Sequence, residues 1–195
     1  MRTPRENFPK KYAALPLPAE EGPWYEAVKC VHGMLKKGTI VVLYGNRGTG
    51  KTFMAYTLAD HAEDYPDPLL PKPAENSPDH ARPAIYRTAM GLFLELRNTF
   101  RKDSEESELD IMRNLQDAVL LVIDEIQEKG ETRWEDQKLT AIVDARYGAG
   151  RPTLLIGNYR TREEFESSVS PSIIDRLNEG GGAIRCNWPS FRGRQ

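Results

Sequence analysis

The chain has 195 residues, 39% of them hydrophobic and 29% charged, which suits one soluble domain or one domain with a short arm. That length buries a core without disulfides or metals. A formal charge of −2 excludes a protein that is basic overall, so any DNA-binding surface must be a local patch.

Residues 1–23 contain Pro4, Pro9, Pro16, Pro18 and Pro23 and read as an extended N-terminal arm. The arm is basic at its start, with Arg2, Arg5, Lys10 and Lys11 against Glu6. From 24 to 37 the spacing of Val28, Val31 and Leu35 predicts an amphipathic helix, stopped by Gly38. The run 39–44 is β-branched and lacks polar alternation, as in a strand buried on both faces of a parallel sheet. A glycine-rich loop follows at once, and then a helix from 51 to about 62 that buries Met54, Leu58 and Ala62. Residues 65–83 hold six prolines and form a loop or insertion. A short strand is expected at Ala84–Thr88. Leu92, Phe93, Leu96 and Phe100 then mark one helix face, and Leu109, Met112 and Leu115 another. A buried strand is predicted over 119–123, a helix over 132–147 and a third buried strand over 153–156. Two short helices over 161–169 and 171–178 and a last strand over 183–188 complete the chain. Strands alternate with helices, which predicts an α/β fold with a mainly parallel sheet and a single domain over 24–195.

The segment Gly45-Asn46-Arg47-Gly48-Thr49-Gly50-Lys51-Thr52 matches the phosphate-binding pattern G-x-x-x-x-G-K-[ST] in full. Glycines let successive backbone N–H groups turn toward one anion, and the helix that follows starts where its unpaired N–H groups favour negative charge. Lys51 is expected to reach the β- and γ-phosphates of ATP, and the Thr52 hydroxyl to be a Mg²⁺ ligand. The apolar run 118–123 ends in Asp124-Glu125, at the tip of a buried strand where open α/β sheets bind ligands. Asp124 is expected to hold Mg²⁺ through water, and Glu125 to orient and deprotonate the attacking water. A strand can also end in acids simply to reach solvent. Asn158 sits at the tip of the third strand, where it is either a contact to the γ-phosphate or water, or a turn residue. Arg176 stands at a helix end beside Asp175 and Glu179. It reads either as a surface ion pair or as an arginine aimed at a neighbouring subunit's γ-phosphate.

Cys30 and Cys186 form no Cys-x-x-Cys pair and read as reduced, packed thiols of a cytoplasmic protein. His32, His61 and His80 lack metal spacing. No run of 18 apolar residues occurs, so no membrane span is expected, and no apolar segment follows the basic N-terminus to make a secretory signal.

Taken in order, the segments Gly48-Thr-Gly-Lys-Thr52, Leu121-Val-Ile-Asp-Glu125, Arg146-Tyr147 with Arg151-Pro-Thr153, Gly157-Asn158, Ser172-Ile-Ile-Asp-Arg-Leu177 and Asn187-Trp-Pro-Ser-Phe-Arg192 resemble the AAA+ ATPases. The likeness is to the DnaC/DnaI helicase loaders and the IstB transposition helpers, and it runs from about Phe8 to Arg192. It implies a P-loop NTPase three-layer sandwich that uses ATP and Mg²⁺, with Asn158 as the sensor-1 residue. Arg176 becomes an arginine finger acting in trans within a homo-oligomer. Phe8-Pro-Lys-Lys-Tyr12 looks like the family's segment ahead of the core that packs near the adenine, and its aromatic also reads as a packing anchor.

The resemblance further implies a phage or bacterial role in DNA replication, with single-stranded DNA or a replicative helicase as partner. Arg97, Arg101 and Lys102 are either candidate backbone contacts or a solvated face. Only 44 residues precede the P-loop, too few for the loaders' helicase-binding domain, and no helical lid is expected after Arg176. An IstB-like helper of transposition and a nucleotide-gated assembly module with slow hydrolysis are the alternatives. A small-molecule kinase fits Asp124-Glu125 less well, because that pair suits activation of water.

Overall fold

In the computed structural model, residues 5–16, 20–62, 65, 83–101 and 103–191 are described. The proline-rich segment 66–82 and Arg2, Lys102 and Arg192 lie outside them. Six parallel strands form one sheet: β1 (Arg5–Glu6), β2 (Ile40–Gly45), β3 (Ala84–Thr88), β4 (Leu120–Asp124), β5 (Thr153–Gly157) and β6 (Gly182–Cys186). Their spatial order is β1-β3-β4-β5-β2-β6. The expected α/β sandwich is therefore present, and β5 separates the strand carrying the glycine-rich loop from the strand ending in Asp124.

The unbroken apolar runs follow from cover on both faces. Val41, Leu43, Val122, Leu154 and Ile156 point to one side, where they pack with α1 (Pro23–Leu35) and α2 (Lys51–Ala59). Ile40, Val42, Leu121, Ile123 and Leu155 point to the other. There they meet α3 (Ala89–Asn98), α4 (Glu108–Asp117), α5 (Arg133–Gly148), α6 (Arg162–Glu166) and α7 (Pro171–Gly180). Thr88, Thr132 and Thr161 each accept a backbone N–H at the start of α3, α5 and α6, and Ser107 with Asp110 closes a reciprocal capping box on α4.

Three expectations are corrected. The stretch read as an extended arm packs on the domain between residues 5 and 14. β1 pairs with β3 in the register Arg5↔Ala84, and Lys10–Ala14 forms a 3-10 turn. Phe8 lies against the rings of Tyr56 and Tyr86, and Arg5 pairs with Asp60. A two-residue strand has no alternation to read, so only its partner reveals it. Phe100 falls beyond the end of α3 and is exposed, and Leu109 faces solvent, because the Ser107 cap sets the phase of α4 so that Ile111 and Leu115 face inward. Of the two cysteines only Cys186 is buried, and Cys30 is exposed.

Arg146 on α5 is fully buried. Its guanidinium donates to the carbonyls of Leu115, Gln116 and Ala118 at 2.8, 3.0 and 2.8 Å, to that of Pro152 at 2.6 Å and to Thr153 Oγ1 at 2.9 Å. It thereby ties the end of α4 and the approach to β4 to the start of β5. Arg146→Met keeps most of the side-chain volume but strips these acceptors of their donor. Loss of about 3 kcal/mol of unfolding free energy is expected in urea titration, with the transition still cooperative.

Candidate functional site

β2 ends at Gly45, where the chain turns through Gly45, Gly48 and Gly50 at φ of 135°, 86° and 79° into α2. Gly45 is required by proximity as well as by φ, since a Cβ there would stand 2.3 Å from the Cys186 carbonyl on β6. Lys51 is buried at the first turn of α2 and folds back over the loop, donating to the carbonyls of Gly45 at 2.9 Å and Asn46 at 2.7 Å. The Thr49 hydroxyl also donates to Asn46, at 3.0 Å. Arg47 is exposed and reaches Glu128 at 3.5 Å, across to the turn that follows β4.

The structure brings the loop and the acidic strand tip into contact. The Thr52 hydroxyl donates to Asp124 Oδ2 at 2.7 Å. The same oxygen accepts from the Tyr86 hydroxyl at 3.0 Å, and Oδ1 accepts from the Glu125 backbone N–H at 2.7 Å. Asp124 is only 4% exposed, so its orientation is fixed by three donors. Burial, with the Asp124 carboxylate beside it, pushes the Tyr86 phenol well above its ordinary value, so it remains a donor through the neutral range. Glu125 is exposed and sits in the left-handed region at φ 56°, directly after the strand tip. Asn158 follows β5, between the two strand tips, and its backbone N–H donates to Gln127 Oε1 at 2.9 Å.

Cys186 lies under the loop, where burial raises its thiol pKa to about 12 against the opposing pull of Lys51. It is therefore a neutral packing group.

Arg176 stands apart from this group. Its guanidinium is over the Tyr147 ring at 5.0 Å, 3.7 Å from Asp144 and 3.5 Å from Glu179. The ion-pair reading of the sequence is present here, with Asp144 in place of Asp175. Arg97 donates to Glu135 at 2.7 Å and covers Trp134, and Arg101 lies 3.6 Å from Asp103. These two candidate DNA contacts are therefore engaged by acids of their own chain. Phe8 packs against the Tyr86 ring at 5.4 Å.

The donor set fits a magnesium ion. A hydroxyl and a carboxylate already within hydrogen-bond distance are hard oxygen ligands of the kind Mg²⁺ takes alongside water and phosphate. Among the described residues no cluster of His, Cys, Asp and Glu forms a site for another metal. No described helix is long and apolar enough to cross a membrane. Sequence reasoning missed Tyr86 and Gln127. Tyr86 sits in β3 two residues before Thr88, the register partner of Asp124, so only strand pairing reveals its role.

A model of the AAA domain family matches residues 34–164. The replicative helicase loader DnaC of Escherichia coli K12 is 28% identical over 154 residues, which cover 78% of this chain and 56% of that protein. The chain thus spans a little over half the length of the curated relatives it matches. A crystal structure of DnaI superposes with a TM-score of 0.67 at 16% identity, covering 97% of this chain and 96% of that one. AMPPCP-bound DnaA from Aquifex aeolicus superposes with a TM-score of 0.65 at 18% identity, covering 92% and 51%. At these identities the two structures speak to fold alone.

Proposed function

The chain belongs to the AAA domain family and has a DnaC-like AAA+ core, and from that premise we propose that it binds ATP with Mg²⁺ and hydrolyses it to ADP and phosphate. The observation that carries this is the 2.7 Å hydrogen bond from Thr52 to Asp124, which joins the phosphate-binding loop to the acidic strand tip.

Each side chain then has a task. The N–H groups of the loop from Gly45 to Thr52 hold the β- and γ-phosphates. Lys51 exchanges its two carbonyl acceptors, Gly45 and Asn46, for phosphate oxygens. Thr52 and Asp124 would hold Mg²⁺, which supplies charge neutralisation on the phosphate oxygens when bound. Tyr86 keeps the Asp124 carboxylate in place. Glu125 accepts a proton from water as the water oxygen bonds to the γ-phosphorus, and the bond to the β–γ bridging oxygen breaks to release ADP. Asn158 orients that water or the γ-phosphate from the neighbouring strand tip. Arg176 of a second copy completes the charge stabilisation.

The DnaC relatives are named replicative helicase loaders. We extend that role to this chain as an ATP-dependent helper of DNA replication that contacts single-stranded DNA, a replicative helicase or both.

Lys51→Ala tests the nucleotide part. It removes an ammonium group from two phosphates, and affinity for MgATP should fall about 100-fold, near 2.8 kcal/mol. Fluorescent-nucleotide titration of folded protein measures this. Unchanged affinity would contradict the assignment. Turnover measured with and without single-stranded DNA, and binding to it across a salt series, tests the rest. No DNA binding at low salt with ATP present removes the DNA contact. Preference for duplex over single strands would point to a transposition helper instead.

A further inference from the structure

Three consecutive carbonyls of the glycine-rich loop are held from outside the loop. The Phe191 backbone N–H donates to Gly48 O at 2.9 Å, the Trp188 indole N–H to Thr49 O at 2.8 Å, and the Trp24 indole N–H to Gly50 O at 3.4 Å. Gly50 O also accepts the first helical bond, from Met54 at 2.8 Å. The rings close around the same point. Trp24 stacks on Phe53 at 5.7 Å and meets Phe191 edge-on at 6.4 Å, and a Cβ at Gly50 would stand 3.0 Å from both Phe191 and Trp24.

In a trans peptide the carbonyl and the N–H of the following residue point in opposite directions. Fixing the carbonyls of Gly48, Thr49 and Gly50 outward therefore turns the N–H groups of Thr49, Gly50 and Lys51 inward, to the side where the phosphates would lie. A glycine-rich loop left to itself samples many orientations of these peptide planes, and ordering it on binding costs affinity.

We propose that the segment 188–191, with Trp24, is a strap that presets the phosphate-binding amides, and that Trp188 is a positioning residue for nucleotide affinity. The proposal rests on the loop being a phosphate site. The strap acts on the phosphate end and not on the base, so its loss weakens ATP, ADP and inorganic tripolyphosphate by one common factor.

The test is Trp188→Phe, which keeps the ring and removes the donor, with Phe191→Pro as an independent variant that removes the donor to Gly48. Dissociation constants for ATP, ADP and tripolyphosphate are measured calorimetrically on protein shown to be folded. Both variants should bind all three about fivefold to tenfold more weakly than the parent chain, with turnover at saturating ATP changed less than the dissociation constants. A merely structural role lowers the melting temperature and leaves the affinity of the folded protein unchanged, which would overturn the proposal. A loss confined to the two nucleotides would also overturn it, because it would mean contact with the base. Failure of the parent chain to bind any of the three ligands removes the phosphate site itself, and the strap with it.

Discussion

Glu125→Gln protein should bind MgATP as tightly as the parent chain and hydrolyse it at least about 100-fold more slowly, the usual cost of losing a general base. The amide keeps the shape of the side chain but accepts a proton far less readily than the carboxylate. The hydrogen bond from Glu125 to Asp124 is made by its backbone N–H, to Oδ1 at 2.7 Å, and the substitution preserves it. The left-handed backbone at φ 56° is likewise open to Gln on the same terms as Glu. Single-turnover measurement with bound ATP separates the chemical step from binding. Equal single-turnover rates in the two proteins would assign proton acceptance elsewhere.

Arg176→Ala has the other large expected effect. It should bind MgATP normally and lose about 1,000-fold in turnover, the low end of what an arginine supplied across an interface contributes. Ile173 and Leu177 anchor α7 in the core, so the arginine is carried on a fixed helix and not on a loop. In the single chain it is held by Asp144 and Glu179 at 3.7 and 3.5 Å. Pairs that exposed are worth about 0–1 kcal/mol, so a neighbouring subunit's phosphates can displace them. Mixing Arg176→Ala with Lys51→Ala protein puts an intact site beside an intact finger, and part of the activity should return. Mixed assemblies that form, as checked by sizing, but stay inactive would contradict action in trans.

Much of the candidate site's geometry was legible in the sequence because the residues that form it are contiguous. Gly45–Thr52 lies between a buried run and a helix, and Asp124-Glu125 closes another buried run, so motif and context agree. What was not legible depends on pairing across the sheet. Tyr86 reaches Asp124 only because β3 and β4 are neighbours in the register Thr88↔Asp124. Gln127 reaches Asn158 across a turn. Trp24 and Trp188 lie on either side of the loop in sequence, and nothing in their spacing says that they grip it together. β1 escaped for a related reason, since its two residues are strand only by virtue of β3. Phe100 and Leu109 were misread because apolar spacing alone does not fix where a helix stops or what phase its cap imposes.

The loop and the strand tip should act as one site for a triphosphate and its metal. Calorimetric titration of ATP into the purified chain, with Mg²⁺ and then with excess chelator, tests it most directly. Saturable binding near one nucleotide per chain, clearly tighter with Mg²⁺ and losing that gain in Asp124→Asn, is the predicted result. Binding that ignores the metal, or no binding at all, would contradict it.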